Sequence, residues 1–373
     1  MVRCILHTGM PKTGTSSIQE SLYFGLRDKK FRYIDFGHAQ TNACRAMATM
    51  FTEDPGSFYY HRQRGVTSEA IDRDRVRCHR VLEREIARGR RCKNTLVISA
   101  ENIWEMQRRE LESLRQVMDV STCEVKVVAY VRPWVAWLQS DFQQRVKMGI
   151  SHALLSPIAR QVLDYQTRVE LFEEVFGREN VEIRVFRPEG VPEGCSVQDF
   201  CKSQGIDFDA HRVRRSNDSM SLPALQFLYT YRKLGPGFGH GRLALLKDWV
   251  LRNLLEELHG PAVRFSAELF APLYVELESQ MGWLEERFGV AFAQACRSEG
   301  LADAEKIRSE EDLFRYSEDS LEWLRGLTGK RSLRGDPVEV AEAMGWLLNH
   351  PSMQGLTEVL GGVVRNKVAT WLR

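Results

Sequence analysis

His7 to Ser17 reads HTGMPKTGTSS, set between the apolar run Cys4-Ile5-Leu6 and the amphipathic stretch IQESLYFGL at 18–26. Strand, glycine-containing loop, then helix is the order in which main-chain N–H groups and the positive end of a helix hold an anion. Gly9 and Gly14 allow a tight turn and close approach of a phosphate to the backbone, while Thr13, Thr15, Ser16 and Ser17 add hydroxyl donors. The two glycines have the separation of a GxxxxGK[ST] loop, but Thr15 stands where that loop carries its lysine. The lysine here is Lys12, before the second glycine, so it meets the anion from another side. No DxxG-like or Asp-terminated strand supplies a magnesium ligand, which disfavours a machine that hydrolyses ATP or GTP.

Working outward, β-rich apolar runs alternate with helical patterns. Strands are expected at 3–8, 31–36, 95–100, 124–131 and 180–186. Helical stretches lie between them, among them DRVRCHRVLEREIARG, NIWEMQRRELESLRQVM, PWVAWLQSDFQQRVK and PIARQVLDYQTRVELFEEVFG. This alternation predicts an α/β fold with a central parallel sheet flanked by helices, a P-loop-like three-layer sandwich. Ligands of such sheets sit beyond the C-terminal ends of the strands. After Ser221 the patterns are helical, ending with LTEVLGGVVRNKVATWL, and the glycines of GPGFGHG at 235–241 follow no strand. The expected organisation is a core over 1–235 and a mostly helical C-terminal extension over 236–373.

Composition narrows the classes. With 43% hydrophobic and 27% charged residues in 373, the chain is globular, and its net charge of +2 makes no general case for nucleic acid or a membrane surface. The charge is uneven: His61 to Lys93 holds eleven Lys/Arg against five Asp/Glu, and Ser266 to Arg325 fourteen acids against six bases. Such blocks read as solvated helix faces or, for the first, as a wall that attracts an acidic substrate. Eight cysteines without a CxxC pair suggest neither a zinc site nor a disulfide framework. They suit a reducing compartment, and with no apolar run of membrane-spanning length a cytoplasmic location is expected.

Gly-Met-Pro-Lys-Thr-Gly-Thr-Ser-Ser after a first strand resembles the phosphosulfate-binding loop of sulfotransferases that use 3′-phosphoadenosine-5′-phosphosulfate (PAPS). A second segment, VRPWVAWLQSDFQQ, is similar to the family's other nucleotide contact, an arginine at a strand end followed by a serine two helical turns on. These are Arg132 and Ser140, which the resemblance assigns to the 3′-phosphate. The chemistry suits them, since a guanidinium is a fork of phosphate donors and Pro133 fits a first helical turn. A third, RVRRSNDSMSLPALQFL at 212–228, resembles the RxNxSxS stretch of bacterial members. Asn217, Ser219 and Ser221 either cap the following helix or face the 3′-phosphate, with Arg212, Arg214 or Arg215 adding charge. The RKGxxGDWK motif of animal cytosolic members is absent, which leaves that third contact open.

The resemblance implies a sulfuryl transfer from PAPS, with PAP as product and no metal, and gives Lys12 the charge that builds on the bridging oxygen. A proton must also leave the acceptor hydroxyl. Glu101, directly after the strand TLVISA, resembles the base of glycan sulfotransferases, and otherwise caps a helix start or pairs with an arginine. His7 is the competing base. Acceptor contacts are expected from Tyr59, Tyr60, His61 and Arg62 in GSFYYHRQRG and from the stretch 146–157. The acceptor is a hydroxyl-bearing glycan, lipid headgroup or small metabolite, and the oligomeric state is open. A kinase or nucleoside triphosphatase with a degenerate loop, and a non-catalytic nucleotide-binding scaffold, are the alternatives.

Overall fold

The computed structural model describes residues 2–121, 123–186, 195–215, 219–297 and 306–349. Asn217 and the helical pattern at 356–372 lie outside them. In chain order the principal elements begin with β1 (Val2–Gly9), α1 (Thr15–Gly25), β2 (Phe31–Tyr33), α2 (Cys44–Phe51), α3 (Ser68–Cys92) and β3 (Thr95–Ser99). There follow α4 (Arg108–Val120), β4 (Cys123–Val131), α5 (Trp134–Met148), α6 (Tyr165–Phe176), β5 (Val181–Val185) and α7 (Ser196–Gln204). The later helices are α8 (Leu222–Leu234), α9 (Gly241–Leu255), α10 (Tyr274–Phe288), α11 (Val290–Arg297), α12 (Glu318–Thr328) and α13 (Pro337–Asn349).

Two compact units are interleaved along the chain. The first takes 1–137, 158–218 and 273–299, the second 138–157, 219–272 and 300–373. Residues 219–235, placed in the core by the expected division at 235, fall in the second. No described helix is long and apolar enough to cross a membrane.

The first unit is an α/β fold. Its five strands are all parallel in the order β2-β3-β1-β4-β5. Alternation along each strand distributes side chains between two helical layers. Ile5, Val97, Val128 and Tyr130 pack beneath α1 and α7 with Ile18, Leu22, Val197 and Phe200. On the opposite face α3 comes so close to the strands that a Cβ on Gly89 would stand 2.8 Å from Leu96. Leu114, Phe172 and Trp104 are fully buried, the last two rings stacked at 5.7 Å. Sheets covered on both faces need apolar residues in consecutive positions, and β4 is buried from Val127 through Val131.

Two expected helices are broken by side-chain caps. NIWEMQRRELESLRQVM becomes a 3₁₀ turn over Glu101–Glu105 and then α4, because Gln107 is extended and forms a capping box with Glu110, whose carboxylate accepts from Gln107 N at 2.8 Å. The stretch 157–177 is interrupted at Asp164, which accepts from Thr167 N at 3.1 Å and starts α6. The expected strand 31–36 is regular only over Phe31–Tyr33, since Asp35 turns the chain by accepting from Gly37 N at 2.7 Å.

In the second unit Ser221 caps α8, accepting from Ala224 N at 3.3 Å and donating to the Leu258 carbonyl. Its core holds Phe142 against Phe265 and, on α8, Phe227 stacked on Trp323 at 5.9 Å.

The strand order reverses at β1, whose neighbours β3 and β4 are reached by crossovers, so a crevice is expected beyond its C-terminal end. There β1 runs hard against β4. A Cβ on Gly9 would stand 2.6 Å from the Tyr130 carbonyl oxygen and 2.8 Å from its nitrogen, both main-chain atoms that cannot swing away. Gly9→Ala is therefore expected to destabilise the protein by about 1–3 kcal/mol through overpacking, read as a lower urea midpoint at unchanged slope; an unaltered midpoint would show that the strands part at no cost.

Candidate functional site

Where β1 ends, the chain leaves the sheet under tight control. Met10 N donates to the Tyr130 carbonyl at 2.8 Å, and the Thr13 hydroxyl donates back to the Met10 carbonyl at 2.8 Å. Thr13 and Thr15 are buried with their hydroxyl oxygens 3.2 Å apart, so those hydroxyls shape the loop from inside, while Ser16 and Ser17 are half-buried. Gly14, at φ +74, is the N-cap of α1 and has no side chain of its own with which to cap that helix end. Its first turn presents N–H groups and the positive end of the dipole at the loop. Lys12 takes φ +68, a left-handed conformation that costs a non-glycine residue about 1 kcal/mol. Backbone strain of this kind persists only where surrounding contacts impose it.

Arg132 supplies one such contact. It follows β4 directly, and its Nη1 donates to the main-chain carbonyl of Lys12. The arginine is itself held: its main-chain N donates to Met10 Sδ at 3.4 Å, its carbonyl accepts from Tyr165 Oη at 2.7 Å, and its guanidinium lies 5.2 Å from the centre of the Phe186 ring. Two segments more than a hundred residues apart in sequence therefore meet at one point.

Glu101 comes to the same edge from β3. It opens the 3₁₀ turn, and its carbonyl accepts from the Thr8 hydroxyl at 3.3 Å. Burial is the main force on its carboxyl, the charge of Glu105 adds to it, and Lys12 opposes both; together they push its pKa up to about 7. The side chain nonetheless keeps accessible surface. The carboxyl is thus desolvated without the residue being closed off from solvent. Glu105, four residues on and exposed at its surface, is raised as well, by partial desolvation against the pull of Arg168. The Cys44 thiol at the start of α2 is pushed up to about 12, by burial first and then by Glu101 and Glu105. Tyr59 is raised by partial desolvation first and then by Cys44, Glu101 and Tyr60, and is the member of the expected acceptor segment that senses Glu101. Cys44 and Glu105 were not singled out from sequence. The spacing of Glu105 from Glu101 was a usable signal, whereas nothing local marks Cys44.

Other candidates are placed elsewhere. His7 is fully buried, its Nδ1 2.7 Å from Ser99 Oγ and its ring packed on Tyr130 and Phe200. Burial drives its pKa down to about 3, so it is a neutral core residue at physiological pH. His61 is also buried, 3.0 Å from Thr49 Oγ1. Tyr60 lies between the guanidinium groups of Arg45 and Arg64, each 4.5 Å from its ring centre, and Arg62 is exposed. Arg214 stacks on Phe24 at 4.2 Å and Arg212 pairs with Asp209. Ser140 is half-buried on the part of α5 that belongs to the second unit, and Ser219, in that unit too, is exposed. Of the third motif, Ser221 is the helix cap.

Two further features border the crevice elements. His38, Asp74 and Cys78 bring their donor atoms within 4.8 Å of one another. The guanidinium of Arg77 already fills that space, donating to Asp74 Oδ1 at 2.8 Å and lying against His38 Nε2, and Arg45 adds a second cation at 2.9 Å. This is a charge-paired knot that ties α2 and α3 to the chain after β2. A cavity of about 460 Å³ is lined by Phe186, Cys195, Ser196, Phe288 and Phe292. It borders the loop, since a Cβ on Gly14 would stand 2.7 Å from Ser196 Oγ.

No family model matches the chain. Over 137 residues it is 23% identical to an uncharacterized protein of Archaeoglobus fulgidus. The match covers 37% of this chain and spans little more than a third, 37%, of that relative.

The raised Glu101 pKa has a measurable consequence. In the unfolded chain the carboxyl ionises near 4.5 and in the folded protein near 7, so between these values the native state holds a proton that the unfolded state has lost. Wild-type stability should therefore fall as pH rises through this window, and Glu101→Gln should remove that part of the decline. Urea midpoints at pH 4.5 and 8 test it: the variant gains on wild type at pH 8 relative to pH 4.5, whereas equal differences at both would mean an ordinary surface carboxylate.

Proposed function

We propose that the chain is a sulfotransferase that takes its sulfuryl group from PAPS and delivers it to the hydroxyl of a glycan or glycolipid-like acceptor, in the cytoplasm. The observation that carries this reading is the convergence of Lys12, Arg132 and Glu101 beyond the ends of three adjacent strands, beside the glycine-capped N-terminus of α1. The residues fit the donor. The loop offers main-chain N–H groups and the Lys12 ammonium to the phosphosulfate, and Arg132 offers a guanidinium to the 3′-phosphate.

In the transfer the acceptor oxygen attacks sulfur while the bond from sulfur to the bridging phosphate oxygen breaks. The electron pair departs with that oxygen on PAP, where the Lys12 charge stabilises it. The acceptor proton passes to the Glu101 carboxylate. A base with a pKa about 7 is half ionised at neutral pH yet strong enough to receive that proton, which is the compromise general base catalysis favours. His7, neutral and enclosed, is left to support Ser99 and the sheet. Tyr59 and Cys44 border the Glu101 carboxyl and are assigned to the acceptor side.

Calorimetric titration with PAP, PAPS and ATP discriminates this from a triphosphate enzyme. PAP and PAPS should bind without added cation; ATP binding that requires Mg²⁺, with no affinity for PAP, would overturn the assignment. In an acceptor screen with labelled PAPS, Glu101→Gln should keep PAP affinity within about twofold and lose roughly 100-fold or more in turnover, and a fully active variant would exclude Glu101 as the base.

A further inference from the structure

We infer that Arg132 is the residue through which the donor's 3′-phosphate sets the position of Lys12, so that one end of the nucleotide controls the charge applied at the other. This rests on the PAPS reading above and goes beyond it by assigning a coupling inside the site.

The argument starts from the strained residue. Lys12 stands at φ +68 in a loop whose other positive-φ positions, Gly9 and Gly14, are glycines. A lysine there relaxes unless its peptide group is held. The loop on the Met10 side is pinned by Met10 N to the Tyr130 carbonyl and by the Thr13 hydroxyl to the Met10 carbonyl. The carbonyl of Lys12 itself accepts from Arg132 Nη1. The arginine's main chain is fixed to Met10 Sδ and Tyr165 Oη, and its guanidinium is steered by the Phe186 ring. A guanidinium carries five donors in a planar fork, a geometry that can serve a carbonyl and a phosphate at once.

A phosphate that fixes the fork therefore also fixes the Lys12 carbonyl and, through one residue's backbone, the direction in which the ammonium leaves the loop. Without it the contact to the Lys12 carbonyl rests on the arginine's own anchors, and the strained lysine has less support. The 3′-phosphate then does more than add affinity: it strengthens the contact between Lys12 and the 5′ end. Arg132 is a positioning residue for Lys12 as well as a donor contact, and discrimination against nucleotides lacking the 3′-phosphate is built into the lysine.

A thermodynamic cycle on the full chain reads this without knowledge of the acceptor. PAP and adenosine 5′-monophosphate are titrated into wild type, Lys12→Met, Arg132→Ala and the double variant. Lys12→Met should weaken PAP at least fivefold more than it weakens the monophosphate, and in the Arg132→Ala background the two factors should become equal. The same factor for both nucleotides in wild type, or a difference that survives Arg132→Ala, would overturn the coupling. Arg132→Lys keeps the charge but not the fork, so it should abolish the difference as well and serves if the alanine variant does not fold. Failure of wild type to bind PAP at all defeats the sulfotransferase reading itself, whereas PAP binding with equal factors defeats the coupling alone.

Discussion

The candidate site depends on how closely β1 can run beside β4 at the point where both strands end. Met10 donates to the Tyr130 carbonyl across that gap, and Gly9 makes the approach possible because it has no Cβ to strike the Tyr130 backbone. Once the strand ends are this near, Arg132, two residues beyond Tyr130, falls within reach of the Lys12 carbonyl. The turn between Gly9 and Gly14 is thereby closed from the neighbouring strand as well as from within. Thr13 and Thr15 complete it from inside, with their hydroxyls turned toward the loop's own backbone and toward each other.

Burial acts on two titratable groups at this edge in opposite directions. In both cases it disfavours the charged form, so it raises a carboxyl and lowers an imidazole. Glu101 ends near 7 because it lies beyond the strand, where Lys12 offsets part of the effect and solvent still reaches the side chain. His7 ends near 3 because it lies within the strand, enclosed by Tyr130 and Phe200. A distance of one strand end in the fold thus separates a group suited to exchange protons from one that is core. The knot around Asp74 shows a third balance: burial opposes that carboxylate too, yet hydrogen bonds from Arg77 and His38 overcome it and hold its pKa below the ordinary value.

Much of this was legible in the chain. The five strands were visible as apolar β-rich runs, and the glycine loop with its displaced lysine marked the candidate ligand end of the first. Arg132 and Glu101 stood out because each directly follows a strand. The helix breaks at Gln107 and Asp164 were less visible, because a single side-chain cap interrupts an apolar period without changing it. Cys44 and the approach of His38 to Asp74 and Cys78 were not read at all, since each joins segments that sequence spacing does not relate, and Glu105 was passed over although its spacing from Glu101 offered a signal.

The sequence by itself determined the class of fold and the order of its elements, because strand and helix periods and loop glycines are properties of neighbouring residues. It also placed the candidate residues at strand ends, where a parallel sheet presents its ligand edge. Only the tertiary structure decided which of them are buried, which are charged and which touch: that His7 is enclosed while Glu101 is not, that Arg132 grips the carbonyl of Lys12, and that Tyr59 rather than His61 lies in the field of Glu101. Desolvation and Coulomb interaction depend on distance through space, and in a parallel sheet each crossover brings together residues far apart along the chain.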